Sequence, residues 1–142
     1  MKKTILFLFL CLLITGCRNE LKCLEGTYSY KVSGKAVIDA GDSTNTVVLG
    51  DEIGAMEIIG QQGNNVLLTF NQLAGGVYVT TAVLNDSVLS LTPFDKVIFY
   101  QRDYDVVVSG QGHVYDQTIV FDLQYSSDKL NADKITMIAK HN

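Results

Sequence analysis

From Gly26 onward the chain is a succession of short apolar or alternating runs, rich in Val, Ile, Thr, Tyr and Phe and separated by Gly, Asn and Asp. The runs fall at 27–33, 36–39, 46–49, 55–59, 66–70, 77–84, 88–91, 96–101, 104–109, 114–115, 118–125 and 134–140, and some are expected to fuse across a bulge. A return spacing of about ten residues suits consecutive antiparallel strands. The clearest run is Thr118–Tyr125: Ile119, Phe121, Leu123 and Tyr125 share one face, and Thr118, Asp122 and Gln124 the other. That is a strand with one dry and one wet side. No comparable 3.6-residue stripe occurs beyond the first sixteen residues, and "SSDKLNAD" has room for one helical turn at most.

The punctuation supports hairpins. "GQQGNN", "AGG" and Asn85-Asp86 supply residues that tolerate positive φ, as tight turns require. Pro93, the only proline, lies between runs, where a missing N–H does little harm. Two segments break the alternation: "VIFY" at 97–100 and "VVV" at 106–108 are apolar on both sides. Either a second layer covers them or they form an exposed patch that marks an interaction site. "YSYKVSG" from Tyr28 and "YDVVVSG" from Tyr104 share Tyr, Val, Ser and Gly in register. Strands that end in a glycine turn look alike, and we read the echo that way rather than as a duplication.

The first sixteen residues are a different material. Lys2 and Lys3 precede an uncharged run from Ile5 to Ile14. At helical rise that run spans roughly 15 Å, half of a bilayer core, which fits a secretory h-region better than a membrane span. Ile14-Thr15-Gly16-Cys17 resembles the lipobox of bacterial lipoproteins. The resemblance implies diacylation of the Cys17 thiol, cleavage after Gly16 and acylation of the new amino group. Arg18 stands where an aspartate would hold an enteric-type lipoprotein at the inner membrane, so the resemblance favours the outer membrane. The expected layout is a signal peptide over 1–16, a lipidated tether over 17–25 and one β-domain over 26–142.

Loss of residues 1–16 removes two of eleven basic residues and none of fifteen acidic ones, giving a mature net charge of −6. Such a balance argues against nucleic acid as a partner, since that surface rewards clustered Lys and Arg. Cys11 leaves with the leader and Cys17 carries lipid, so no disulfide is expected within the mature chain. Cys23 is expected as a small hydrophobe near the start of the fold, with a reactive thiol or an intermolecular bridge as the alternatives.

Catalytic sets do not assemble, and a non-enzymatic protein without cofactor or metal is expected. His141 is penultimate and expected to fray, and His113 follows "GQG" beside a turn. Ser33 and Ser109 each end a strand as V-S-G, without the context of a nucleophile elbow. Asp39, Asp42, Asn45, Asp51 and Glu52 gather oxygen ligands in one stretch. An EF-hand loop counted from Asp39 would need glycine at Thr44 and glutamate at Gly50, so the stretch reads as an acidic hairpin. A membrane-spanning barrel is excluded by runs as short as Val88–Leu91.

In layout, and in phrases such as "GAMEIIG", "LLTF" and "GHVYDQTIVFDLQY", residues 26 to about 140 resemble the small lipocalin-like (calycin-like) lipoproteins of Gram-negative anaerobes. Gly26-Thr27-Tyr28 stands where true lipocalins carry Gly-x-Trp. The resemblance implies an antiparallel meander of eight to ten short strands closing into a small barrel, with a sandwich as the second choice. Two functions then stand open, neither with an assigned binding residue, and the resemblance in fold favours the first over the alternative. One is a barrel that holds a small apolar or amphipathic ligand, which needs a cavity of a few hundred Å³. The other is a lipoprotein that docks an envelope protein or glycan through an exposed apolar face or edge strand.

Overall fold

The structure, a computed structural model, describes residues 20–39, 43–72 and 76–142; the expected leader, the lipobox-like segment and Cys17 lie outside the described residues. A short helix, α1 (Glu20–Leu24), precedes nine strands: β1 (Gly26–Asp39), β2 (Thr44–Gly60), β3 (Asn65–Gln72), β4 (Val77–Asn85), β5 (Val88–Leu91), β6 (Phe94–Tyr100), β7 (Arg102–Tyr115), β8 (Thr118–Ser126) and β9 (Leu130–His141). All pairings are antiparallel, in the order β5-β4-β3-β2-β1-β9-β8-β7-β6. The ring is closed by β5 on β7, at Val88↔His113, Leu89↔Gly112 and Ser90↔Gln111. Eight strands therefore form a closed barrel, and β6 lies ahead of β5 on the same side of β7, from Phe94↔Val108 to Tyr100↔Arg102. This is the all-β barrel that the sequence implied, and not a sandwich.

Side-chain alternation decides inside from outside. On β8, Ile119, Phe121, Leu123 and Tyr125 point into the core while Asp122 and Gln124 face water. On β3 and β9 the same period buries Val66, Leu68 and Phe70, and Ile135, Met137 and Ala139. Fully burying a side chain such as Phe121 or Leu68 contributes roughly 1.5–3 kcal/mol, so the filled interior is the main stabilising term. Several expected runs fuse, as 27–33 with 36–39 into β1, and 104–109 with 114–115 into β7. In β1 the fusion passes through a register shift between Val32 and Gly34.

Glycine supplies the curvature. Gly110 has φ +150, and a Cβ there would run into the Asp122 carbonyl oxygen of the neighbouring strand. Two residues on, a Cβ at Gly112 would lie 2.6 Å from the Phe121 ring, so only a bare backbone lets that ring cross the closure point. The V-S-G echo has a physical meaning here: Gly34 and Gly110 both lie where a strand passes hard against its neighbour, at Ile135 and at Asp122. Hairpins close on Asp86-Ser87 and Asp116-Gln117, with Asp86 at φ 53 and Asp116 at φ 52.

One end of the barrel is plugged. Leu24 of α1 is buried, Tyr28 donates its hydroxyl proton to the Leu24 carbonyl at 2.8 Å, and the Gly60 amide donates to Glu25 Oε1 at 2.9 Å. The stretch read as tether thus carries a helical turn that packs on the domain. Two expectations are corrected at this end. Cys23 is not a buried hydrophobe: it is exposed on α1. His141 is not frayed, because its amide donates to the Gln117 carbonyl at 2.8 Å and its ring stands edge-on to Tyr28 at 4.9 Å.

Gly110→Ala, which forces a side chain into both a positive-φ position and a backbone oxygen, should lower stability by about 3 kcal/mol. A urea unfolding midpoint unchanged from wild type would contradict the account of strand curvature.

Candidate functional site

At the end away from α1, the wall is incomplete. The β4–β5 ladder stops near Ala82↔Leu91, with the Thr92 amide still reaching the Thr81 carbonyl at 2.8 Å. Pro93 follows, and β6 then diverges from the first half of β4. Side chains bridge the seam: Thr80 Oγ1 donates to the Thr92 carbonyl at 2.7 Å and the Tyr78 hydroxyl to the Val97 carbonyl at 3.4 Å.

Inside this open end lies a polar cluster in an aromatic surround. Lys96 points inward from β6 and is only 7% exposed. Its ammonium sits 2.6 Å from Glu52 Oε2, 5.7 Å from the centre of the Tyr78 ring and 5.4 Å from that of Tyr125. The other Glu52 oxygen accepts from Gln72 Nε2 at 2.6 Å and from the Tyr30 hydroxyl at 3.3 Å. Phe94 stacks on Phe70 at 5.8 Å, and Tyr30 meets Phe70 edge-on at 6.0 Å. Burial first, and the Glu52 charge second, push the phenols of Tyr30 and Tyr125 well above the usual tyrosine range. They are neutral hydrogen-bonding groups at any physiological pH.

The cluster leaves little space. The cavity among Tyr30, Glu52, Phe70, Lys96, Tyr125 and Met137 has a volume of about 20 Å³. That is room for roughly one water, far below a ligand cavity of a few hundred Å³. A molecule could enter only by displacing Lys96 or the tyrosines.

The outer wall beside the seam is apolar. The segment 97–100, expected to be apolar on both sides, turns Val97 and Phe99 outward at 44% and 76% exposure, while Ile98 is half-buried. Val77 and Val79 of β4 face outward across the seam at 64% and 55%. In the other such segment, Val106 and Val108 are buried and Val107 is on the surface.

The sequence-stretch rich in oxygen ligands is split by the fold. Asn45 faces solvent on β2, Asp39 ends β1, and Glu52 turns inside to Lys96; Asp42 lies outside the described residues. Among the described residues, no three His, Cys, Asp or Glu side chains gather where a metal ion could be held. Glu52 and Lys96 as a pair were not anticipated. In "FDKVIFY", strict alternation places Lys96 with Phe94 and Ile98, and that parity was the available signal.

Glu52→Gln strands the Lys96 ammonium among aromatic rings and should cost roughly 2–4 kcal/mol, whereas Lys96→Met leaves a carboxylate with two other donors and a water-facing side, and should cost less. Equal losses in denaturant titrations would contradict the asymmetry. The buried phenols give a pH signature. Tyr30 and Tyr125 keep their protons in the fold beyond the pH, about 10, at which the unfolded chain releases them. Their contribution is therefore complete below pH ~10 and is lost as pH rises further. Tyr30→Phe with Tyr125→Phe should flatten that alkaline loss, measured as urea midpoint against pH.

No family model and no curated protein matches this chain. Among solved structures it is similar to a redesigned beta barrel, with a TM-score of 0.53 and 11% identity over 86% of this chain and 94% of that one. It is also similar to EF1p2_mFAP2b bound to DFHBI, with a TM-score of 0.50 and 12% identity over 85% of this chain and 95% of that one. At such identities the likeness is one of fold: this chain is a small closed β-barrel.

Proposed function

We propose that this is a lipid-tethered, non-enzymatic envelope protein that works by docking a partner on the open end of its barrel. The observation that carries this reading is the outward Phe99, 76% exposed, continued by Val97, Val77 and Val79 along one seam of the wall. Clustered aromatic and aliphatic side chains at a protein surface mark contact sites, whereas scattered ones do not. The cavity of about 20 Å³ supports the same choice, because the interior as it stands is occupied by the protein's own side chains.

The tether rests on the lipobox-like Ile14-Thr15-Gly16-Cys17, with lipid on Cys17 and Arg18 favouring the outer membrane. Two or three acyl chains anchor far more durably than one, at about 0.8 kcal/mol per buried CH₂. In this reading the anchor lies three residues before α1 in sequence, and α1 plugs the end of the barrel opposite the docking surface.

A second reading has an observation of its own. A barrel of similar fold is known bound to DFHBI, and the Glu52–Lys96 cluster within aromatic rings offers a head-group site for a small amphipathic molecule.

Native mass spectrometry of the protein isolated from its own host separates the two. The docking reading expects a protein or glycan adduct that Phe99→Asp removes; a bound small molecule that survives Phe99→Asp and is lost in Lys96→Met supports the second reading instead. Labelled palmitate should enter the wild-type chain and not Cys17→Ser. Equal labelling of both would overturn the tether.

A further inference from the structure

Beside the apolar wall, β7 presents a bare edge. It pairs with β6 all the way to Tyr100↔Arg102, but with β8 only from Val107↔Ser126 onward. Residues Arg102–Val106 therefore have one ladder side without a strand among the described residues. The β8–β9 turn does not fill the place. Ser127 Oγ accepts from the Leu130 amide at 2.9 Å, the Ser127 amide donates to the Leu130 carbonyl at 3.0 Å, and the Asp39 amide donates to the Lys129 carbonyl at 2.8 Å. These bonds tie the turn to itself and to β1. Between turn and edge runs an open groove of about 720 Å³, with Arg102–Val107 on one wall and Ser126–Lys129 on the other.

The groove has a charge and a period. Asp95, Asp103, Asp105 and Asp128 line it, against Arg102 and Lys129. The Arg102 guanidinium lies over the Tyr104 ring at 5.0 Å. Asp103 and Asp105 face outward, while Tyr104 and Val106 face inward and are buried. An added strand would set one side chain in two beside the aspartates and the others beside Tyr104 and Val106.

A second copy of this chain is a poor occupant. Antiparallel pairing of two such edges about Tyr104 would set Asp103 opposite Asp105 twice, and like charges placed directly opposite destabilise a sheet. The same carboxylates favour a strand with cations in those positions.

We infer that the Arg102–Val106 edge of β7 binds an extended peptide by strand addition, with Lys or Arg at alternate positions and apolar residues between them. This rests on the docking reading above and names its partner's chemistry. Main-chain hydrogen bonds supply affinity, and the alternating pattern supplies selectivity.

The test uses fluorescence anisotropy on the full chain in a nonionic detergent, with labelled Lys-Val-Lys-Val-Lys-Val. Wild type should bind it at least tenfold more tightly than Glu-Val-Glu-Val-Glu-Val, and Asp103→Lys with Asp105→Lys should reverse that preference. A version N-methylated at alternate amides should bind at least tenfold more weakly. Hydrogen exchange at Arg102–Val106 should slow when the peptide is added. No binding, or equal binding of the N-methylated peptide, overturns strand addition. Phe99→Asp keeps the two ideas apart. If it removes the host adduct while Asp103→Lys with Asp105→Lys does not, the docking wall stands and the edge inference falls.

Discussion

Closure of the hydrogen-bonded ring is the constraint on which the rest depends. Nine strands in an open sheet would offer two faces to water; three residue pairs between β5 and β7 convert one of those faces into an interior. Once the ring is closed, the two-residue period assigns every side chain to the core or to solvent. The closure is narrow and depends on Gly110 and Gly112, one at positive φ against Asp122 and one beneath the Phe121 ring. Both glycines flank Gln111, which pairs with Ser90 at the closure itself. A Cβ at either would push β7 away from β8 at the place where β5 must dock.

The closed ring makes the departures from ordinary burial informative. A lysine inside a barrel and a phenylalanine outside it, three residues apart on one strand, are both costly placements. The first is offset locally: Glu52, the tyrosine rings and Gln72 surround the charges, so Lys96 is held by an ion pair and ring faces together. A buried pair of that kind seldom adds net stability over an apolar equivalent. Its effect is to fix the inward register of β6, which in turn fixes Val97 and Phe99 outward. Nothing among the described residues covers Phe99. The same strand parity thus builds both the filled interior and the exposed wall.

The sequence was legible where a single physical rule governs. Alternation in Thr118–Tyr125 led directly to β8, and the hairpin signal at Asn85-Asp86 marked the β4–β5 turn one residue early, since Asn85 still pairs with Val88 and the turn is Asp86-Ser87. The barrel as a whole needed more than alternation, since a sandwich shows the same period. The glycines that bend β1 and β7 were visible only as an echo of V-S-G. Less legible were sites set by long-range pairing. Glu52 sits in an acidic stretch and Lys96 in an apolar run, forty-four positions apart, and no local pattern joins them. His141 is ordered by Gln117 and Tyr28, partners that its penultimate position does not reveal. The bare edge of β7 follows from where β8 stops, which is a property of the register and not of β7's own residues.

Hydrogen–deuterium exchange at single-residue resolution tests the central claim most directly: a fully closed ring with one unpaired edge beyond it. The account predicts slow exchange at Leu89 and Gly112, whose amides face each other across the β5–β7 contact, comparable to the β1–β2 ladder, and fast exchange at alternate amides of Arg102–Val106 in the protein alone. Rapid exchange at the β5–β7 contact, or uniform protection through Arg102–Val106, would mean that the ring is open or the edge already paired, and would contradict it.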